Sequence, residues 1–409
     1  MTTTHRASAL VPNRRGRSGD DPIFALHAEA TRRRAAGERV VNATLGALLD
    51  EDGSLLVLPT AARAVREVGV DDHAAYAPIA GTPAFLDAVR RDVLGAAAGE
   101  AAAVATPGGS GALRHAIATF LEPGQSLLTG SWFWGPYRTL ADENERGLVT
   151  FRLFTDELAF DVDALDEALG SVIGRQGRAL LILNDPCHNP TGYSMSPAEW
   201  TAVADVVRKH AAAAPVAVVL DNAYSAYGPA AGMAAALDAL RGLADIATVM
   251  VAWSASKTFT HYGLRVGALV VLEHDEGERR EIQAALTHAC RGTWSNVNRG
   301  GLVAITRLLV DPTLRAAVDA ERAQAVALLG RRVAAFNDAA SEVGLRWPRY
   351  DGGFFTTVFA ADAQGAAARL RERGVYVVPL PGGLRLGICA LSVAEVQPTV
   401  VALAESLTT

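Results

Sequence analysis

The sequence predicts an α/β protein: a large domain on a mostly parallel central sheet, with a smaller α+β domain beside it. Three observations lead there. Short, continuously apolar runs recur at residues 126–128, 179–183, 216–220, 247–251 and 267–272. Strands apolar on both faces belong to a sheet covered on both sides, hence a mostly parallel one. Ala-rich amphipathic stretches such as residues 197–214 lie between several of the runs and read as crossover helices. Beyond residue 311 the pattern changes to a long helix followed by short strands.

That helix is expected over residues 312–343, because Asp311-Pro312 opens it and Gly344 follows it. Residues 354–359 and 375–379 read as strands of the smaller unit, which ends in a helix near residues 393–406. The chain shows no internal repeat, and its alanine bias favours helices without indicating a function. Residues 1–20 are polar and basic around Arg14, Arg15 and Arg17. They lack the apolar centre of a signal peptide and read as a disordered arm.

Bulk properties exclude several function classes. A length of 409 residues allows two or three domains, or one large α/β domain with a companion. A formal net charge of −6 gives no footing for nucleic acid or an anionic membrane. No apolar run is long enough to span a bilayer. Cys187, Cys290 and Cys389 are odd in number and far apart. They form neither a disulfide framework nor a metal cluster, which fits a cytoplasmic location.

Ser254-Ala255-Ser256-Lys257-Thr258-Phe259-Thr260-His261-Tyr262-Gly263-Leu264-Arg265 carries the most chemistry. It sets a lysine amine among small hydroxyl residues with an arginine further on. A lysine that forms an imine with an aldehyde cofactor needs this setting, and hydroxyls with a guanidinium hold a phosphate. Asn184-Asp185-Pro186-Cys187-His188-Asn189-Pro190-Thr191-Gly192 follows a strand, where ligands of parallel sheets bind. Its Asn-Pro and Thr-Gly pairs are equally the chemistry of a plain turn. His188 has no ligand spacing around it and reads as a packed or solvated histidine.

Asp221-Asn222-Ala223-Tyr224 ends the next strand. A carboxylate there suits a pyridine nitrogen that must stay protonated, and Tyr224 suits a phenolate oxygen. A helix N-cap is the other common fate of such an aspartate. Thr106-Pro107-Gly108-Gly109-Ser110-Gly111-Ala112-Leu113 is a glycine-rich turn opening a helix, where backbone N–H groups bind phosphate. It matches neither a P-loop nor a dinucleotide fingerprint.

Taken together, these segments resemble the aspartate/aromatic aminotransferase branch of the fold-type-I pyridoxal-phosphate enzymes. The resemblance runs from Asp21-Pro22-Ile23-Phe24 to the C-terminus. It includes Tyr76-Ala77-Pro78-Ile79-Ala80-Gly81 and Leu384-Arg385-Leu386-Gly387. It implies a class I/II aminotransferase that moves an amino group between an L-amino acid and a 2-oxo acid, with pyridoxal 5'-phosphate as cofactor. It also implies a division of the chain: an arm over 1–20, the N-terminal part of the small domain over 21–55, a large cofactor-binding domain over 56–311, and the C-terminal small domain over 312–409.

Residue by residue, the resemblance makes Lys257 the cofactor's imine partner and the proton shuttle. Asp221 would pair with the pyridine nitrogen, and Asn189 and Tyr224 with the phenolate oxygen. Ser110, Ser254, Arg265 and the Gly109 backbone would hold the phosphate. Tyr76 would reach the phosphate of the partner subunit, which implies a homodimer with shared sites. Arg385, helped by the Gly46 backbone, would clamp the substrate α-carboxylate. Either Trp134 or Trp132 would stack on the cofactor ring, with Trp134-Gly135-Pro136-Tyr137 the better match; core packing is the ordinary role of both. Arg291-Gly292-Thr293-Trp294-Ser295-Asn296 is similar to a segment whose arginine comes from the partner subunit and binds a distal carboxylate.

The chain departs from the family pattern in three places. Gly108 stands where a serine is frequent, so one phosphate contact is expected to be lost. Leu48 and Leu49 replace a Tyr-Arg pair, and with the twin tryptophans suggest that a non-acidic donor is also accepted. Pro136 and Tyr137 replace Asn-His, which is expected to remove polar groups behind the ring. The alternative readings are another reaction on the same cofactor, such as elimination, decarboxylation or oxidation, and a transcription regulator on the same fold. The short N-terminal arm has no room for a DNA-binding domain, which counts against the last.

Overall fold

The structure is a computed structural model that describes residues 8–17, 19 and 22–408. The expected disordered arm therefore falls in part, at residues 1–7, 18 and 20, outside the described residues. Within the arm, Pro12–Arg14 forms a single 3-10 turn, and Arg14 pairs with Glu143 at 2.6 Å.

Twelve strands are described: β1 Val41–Asn42, β2 Ala101–Thr106, β3 Ser126–Gly130, β4 Gly147–Phe151, β5 Ala179–Asn184, β6 Val216–Asp221, β7 Thr248–Ser254, β8 Gly267–Leu272, β9 Phe355–Phe359, β10 Val375–Tyr376, β11 Val378–Leu380 and β12 Gly383–Gly387. Seven of them form the central sheet in the order β2-β8-β7-β6-β5-β3-β4. Only β8 runs against its neighbours; the β3–β4, β3–β5, β5–β6 and β6–β7 pairs are parallel. The carboxyl ends of β2, β5, β6 and β7 consequently open on one edge.

The continuous apolar runs are explained by burial on both faces. Leu180, Ile182, Val219 and Met250 pack with Leu113, Ile117 and Leu286 of two helices on one side. Their alternates Leu181, Leu183, Val218, Leu220 and Val251 join the main core on the other. Each such side chain contributes about 1.5–3 kcal/mol when fully buried. The helices start where local chemistry dictates. Pro197–Ala211 is opened by a capping box in which Ser196 Oγ accepts the Glu199 N–H and the Glu199 carboxylate accepts the Ser196 N–H. Asp311 caps Pro312–Glu342 by accepting the Thr313 and Leu314 N–H groups at 2.8 and 3.1 Å.

Four strands, β1, β2, β4 and β12, are not among the runs that read as strands in the sequence. Strand β2 is Ala-Ala-Ala-Val-Ala-Thr, whose composition favours a helix; full burial beside β8 overrides that preference. Strand β4 is a short edge strand with little burial.

In the smaller unit β11, β12 and β9 form an antiparallel sheet, and β1 pairs in parallel with β10. Arg332 of the long helix is fully buried here. It donates to Glu51 Oε1 at 2.7 Å and to the Cys389 carbonyl at 2.9 Å, so the segment after Gly46 is pinned beside the end of β12.

Candidate active site

A cleft with an empty volume of ≈ 480 Å³ opens at the carboxyl edge of the central sheet. Gly109, Ser110, Trp134, Asn189, Asp221, Tyr224, Ser254, Lys257 and Arg265 all line it. Leu113, Asn184, Ala223 and Ser256 line it as well, and none of the four was assigned a role from sequence.

Lys257 sits on the one-turn helix Ala255–Thr258 directly after β7. Three contacts fasten that turn. Ser254 Oγ accepts the Ser256 N–H at 3.3 Å, Tyr227 donates to the Lys257 carbonyl at 3.2 Å, and Arg322 donates to the Thr258 carbonyl at 2.7 Å. The Lys257 Nζ stands 5.7 Å from the Tyr224 ring centre and 5.6 Å from that of Tyr262. Burial, then the Arg265 guanidinium, lower the lysine's pKa from its ordinary 10.5, while Asp221 opposes them. The result favours the neutral, nucleophilic amine.

The helix Gly108–Phe120 points its N-terminus into the cleft. Arg265, at φ +57°, turns back across this end. It donates to Ser256 Oγ at 3.2 Å, to the Tyr262 carbonyl at 2.9 Å and to the Pro107 carbonyl at 3.2 Å. Gly108 has φ +70°, and a Cβ there would meet Arg265 Nη2. Ser110, Ser254, Ser256 and Arg265, together with free helix N–H groups, make a cradle for a dianion.

Asp221 ends β6 and is 5% exposed. Its Oδ2 accepts from the Tyr137 hydroxyl at 2.6 Å, and its Oδ1 accepts the Ala223 N–H at 3.3 Å. The expected loss of polar groups behind the ring is therefore corrected: the Tyr137 phenol supplies one. Sequence reading missed it because Tyr137 was weighed as a replaced histidine, although a phenol is also a donor. Burial raises the Asp221 pKa, opposed by the Tyr137 hydrogen bond, the Ala223 N–H and Lys257. Asn184 supports its neighbours by donating to the Asp221 carbonyl at 2.8 Å and accepting the Asn189 N–H at 2.7 Å. The Asn189 Oδ1 is buried and has no hydrogen-bond partner among the described residues. Burial pushes the Tyr224 phenol up, which keeps it a donor.

The two tryptophans separate. Trp134 lines the cleft and meets Tyr137 edge-on at 5.7 Å. Trp132 packs edge-on against Phe359 at 5.7 Å and lies within 3.5 Å of the positions where Gly382 and Gly383 would carry a Cβ. Arg385 lies outside the lining. Its guanidinium stacks 4.4 Å from the Phe355 ring centre and donates to the Thr44 carbonyl at 3.0 Å. Gly46 faces the same ring, and a Cβ on it would stand 2.9 Å from Phe355 Cζ. Leu48 is fully buried, and its N–H donates to the Tyr262 hydroxyl at 3.0 Å. Tyr76 is 85% exposed, and Arg291 is exposed with a 2.6 Å bond to Ser295 Oγ. Neither lines this chain's own cleft.

Among the described residues no three His, Cys, Asp or Glu side chains are grouped to hold a metal, and no helix is long and apolar enough to cross a membrane. All three cysteines are buried free thiols.

Comparison with known proteins gives the same direction throughout. The chain is 27% identical to a tyrosine aminotransferase of Klebsiella pneumoniae over 88% of its own length and 92% of that protein. It is 27% identical to an aromatic-amino-acid aminotransferase of Escherichia coli over 87% and 90% of the two chains. Among solved structures, an aminotransferase from Anaerococcus prevotii superposes with a TM-score of 0.93 at 29% identity, covering 98% of this chain and 100% of that one. An aromatic-amino-acid aminotransferase from Burkholderia pseudomallei, covalently bound to pyridoxal phosphate, superposes at 0.81 with 26% identity, covering 97% and 100%. The model of the family "Aminotransferase class I and II" matches residues 38–403, and the chain belongs to that family.

Proposed function

We propose that this aminotransferase works on pyridoxal 5'-phosphate linked to Lys257, and that its substrates are L-amino acids and 2-oxo acids of the aspartate/aromatic type. One observation carries the reading: a lysine amine, a buried carboxylate and a dianion cradle converge on one cleft. The residues fit the group. Asp221 is a buried acid in need of a cationic partner, which a protonated pyridine nitrogen provides. The Asn189 side chain, whose amide N–H can donate, and the Tyr224 hydroxyl sit where a phenolate needs partners. The absence of a side chain at Gly108 lets the Arg265 guanidinium come close beside the cradle. Bound pyridoxal phosphate supplies a carbonyl that exchanges amino groups and a ring that withdraws electrons from the substrate Cα.

The chain's own residues do the rest. Lys257, its pKa lowered by burial, takes the proton from the substrate Cα and returns it elsewhere. Arg385 binds the α-carboxylate, its plane fixed by Phe355 and by the Thr44 carbonyl. Trp134 covers one ring face. The active unit is a homodimer: Tyr76 and Arg291 are exposed in one chain and serve the cleft of the next, Tyr76 at the phosphate and Arg291 at a second substrate carboxylate. The free thiols support a cytoplasmic location.

The test is a titration of the purified holoprotein with a panel of amino acids, followed by 2-oxoglutarate. Appearance of the amine form with aspartate, glutamate, tyrosine or phenylalanine, and its reversal by 2-oxoglutarate, is expected. Consumption of the amino acid without recovery of its nitrogen would point to elimination, decarboxylation or oxidation instead.

A further inference from the structure

We infer that Tyr137 is a positioning residue for the electron sink, holding Asp221 as an oriented anion toward the cofactor's ring nitrogen. The inference rests on the proposed role of Asp221 and adds to it the residue through which that role is exercised. Asp221 projects from the end of β6, and Tyr137 reaches it from the separate helix Pro136–Glu143, with 2.6 Å between the hydroxyl and Oδ2. The ring of Tyr137 is 1% exposed and is clamped on two sides. Phe133 stacks on it at 6.5 Å and 8°, and Trp134 meets it edge-on at 5.7 Å. A ring so held aims its hydroxyl in one direction.

The hydrogen bond has two effects. It fixes the carboxylate plane, because Oδ2 is anchored from one side and Oδ1 by the Ala223 N–H from another. It also stabilises the charge of the carboxylate, opposing the upward push that burial gives its pKa. The titratable groups that act on Asp221 are Tyr137, Lys257 and Tyr224. Burial and Asp221 itself push the Tyr137 phenol well above its ordinary 10, so it donates throughout the working range and never adds a charge. The same short turn presents both faces of the task. The Tyr137 N–H donates to the Trp134 carbonyl at 2.9 Å, so the residue that covers the ring and the residue that supports its nitrogen partner are joined in one turn.

The experiment loads apo-protein with 15N-pyridine-labelled pyridoxal phosphate and measures the nitrogen chemical shift, the cofactor dissociation constant and the split between kcat and KM. Tyr137→Phe and Tyr137→Met both remove the donor, and either suffices if the other does not fold. The expected result is a shift toward unprotonated pyridine, cofactor binding weaker by about ten- to a hundred-fold, and a fall in kcat rather than a rise in KM. Tyr137→His, which retains a donor, should restore much of the shift. A folded donor-free variant with the wild-type nitrogen shift overturns the inference and leaves Tyr137 as packing. Asp221→Asn is the control for the underlying reading: if that variant also keeps the wild-type shift, it is the pairing of Asp221 with the ring nitrogen that fails.

Discussion

The Cβ that Gly108 lacks would stand 2.4 Å from Nη2 of Arg265. The sequence reading treated Gly108 as a lost phosphate contact. The structure shows instead that the arginine occupies the space any larger residue would need. Gly108→Ala should displace the guanidinium and strain a backbone at φ +70°, which alone costs about 1–2 kcal/mol. Apo-protein carrying Gly108→Ala or Gly108→Ser should bind pyridoxal phosphate at least tenfold more weakly, as read by fluorescence quenching. Tighter binding by the serine variant would mean that a hydroxyl is tolerated after all.

Lys257→Ala should abolish the visible absorbance of the lysine-linked cofactor and all turnover. Borohydride reduction of wild-type holoprotein followed by peptide mapping should place the cofactor on Lys257, and a label on another lysine would refute the assignment.

The lowered pKa of Lys257 has a stability consequence in the apo-protein. Unfolded, the lysine holds its proton up to about pH 10.5; folded, it releases it earlier. Between those two values the unfolded state binds more protons, so stability rises with pH. Below the folded value the cost of the buried ammonium is fully present. The neutral variant Lys257→Met should therefore melt higher than wild-type apo-protein at neutral pH, and the gap should close as pH approaches 10.5. A gap independent of pH would show that Lys257 is not perturbed.

Arg385→Ala should weaken every substrate by about ten- to a hundred-fold, the worth of a charge-assisted bidentate contact. Arg291→Ala should do so only for substrates with a second carboxylate and spare tyrosine and phenylalanine. Steady-state kinetics on both classes decides it, and equal losses would remove the division of labour.

Mixing inactive Lys257→Ala chains with Arg291→Ala chains, which are impaired toward glutamate, should raise the activity toward glutamate above that of either alone, because a shared site is whole in one half of each mixed dimer. Mixed dimers shown by mass spectrometry to be present yet inactive would argue against sharing.

The fold was legible where apolarity was continuous, and the errors have physical causes. The runs at 216–220 and 247–251 belong to β6 and β7, but both strands extend further, to Asp221 and Ser254. Those polar residues still pair in the ladder, Asp221 opposite Ala252 and Ser254 opposite Gly267. A polar residue looks like a strand's end in sequence; here it is the strand's last rung and the first residue of the site. Alanine-built β2 was invisible because only its burial makes it a strand. Tyr137 and Asp221 are 84 positions apart, and no local pattern reports such a bond. The tryptophans could not be ranked by composition alone; their separation depends on how Trp132 docks on the smaller unit. Tyr76 and Arg291 need a second chain to have any role, and one sequence cannot display that.

The pairing of β1 with β10 has a consequence for biosynthesis. Every residue proposed for the cofactor within one chain lies between Gly109 and Arg265, inside a contiguous stretch that includes the whole central sheet apart from β2 and β8. The substrate half is different: Gly46 and Arg385 come from opposite ends of the chain and meet over Phe355. During translation every residue of the cofactor half has therefore emerged while the C-terminal strands are still in the ribosome. The carboxylate clamp cannot exist until almost the last residue has emerged, so substrate recognition is the last part of the site to be assembled.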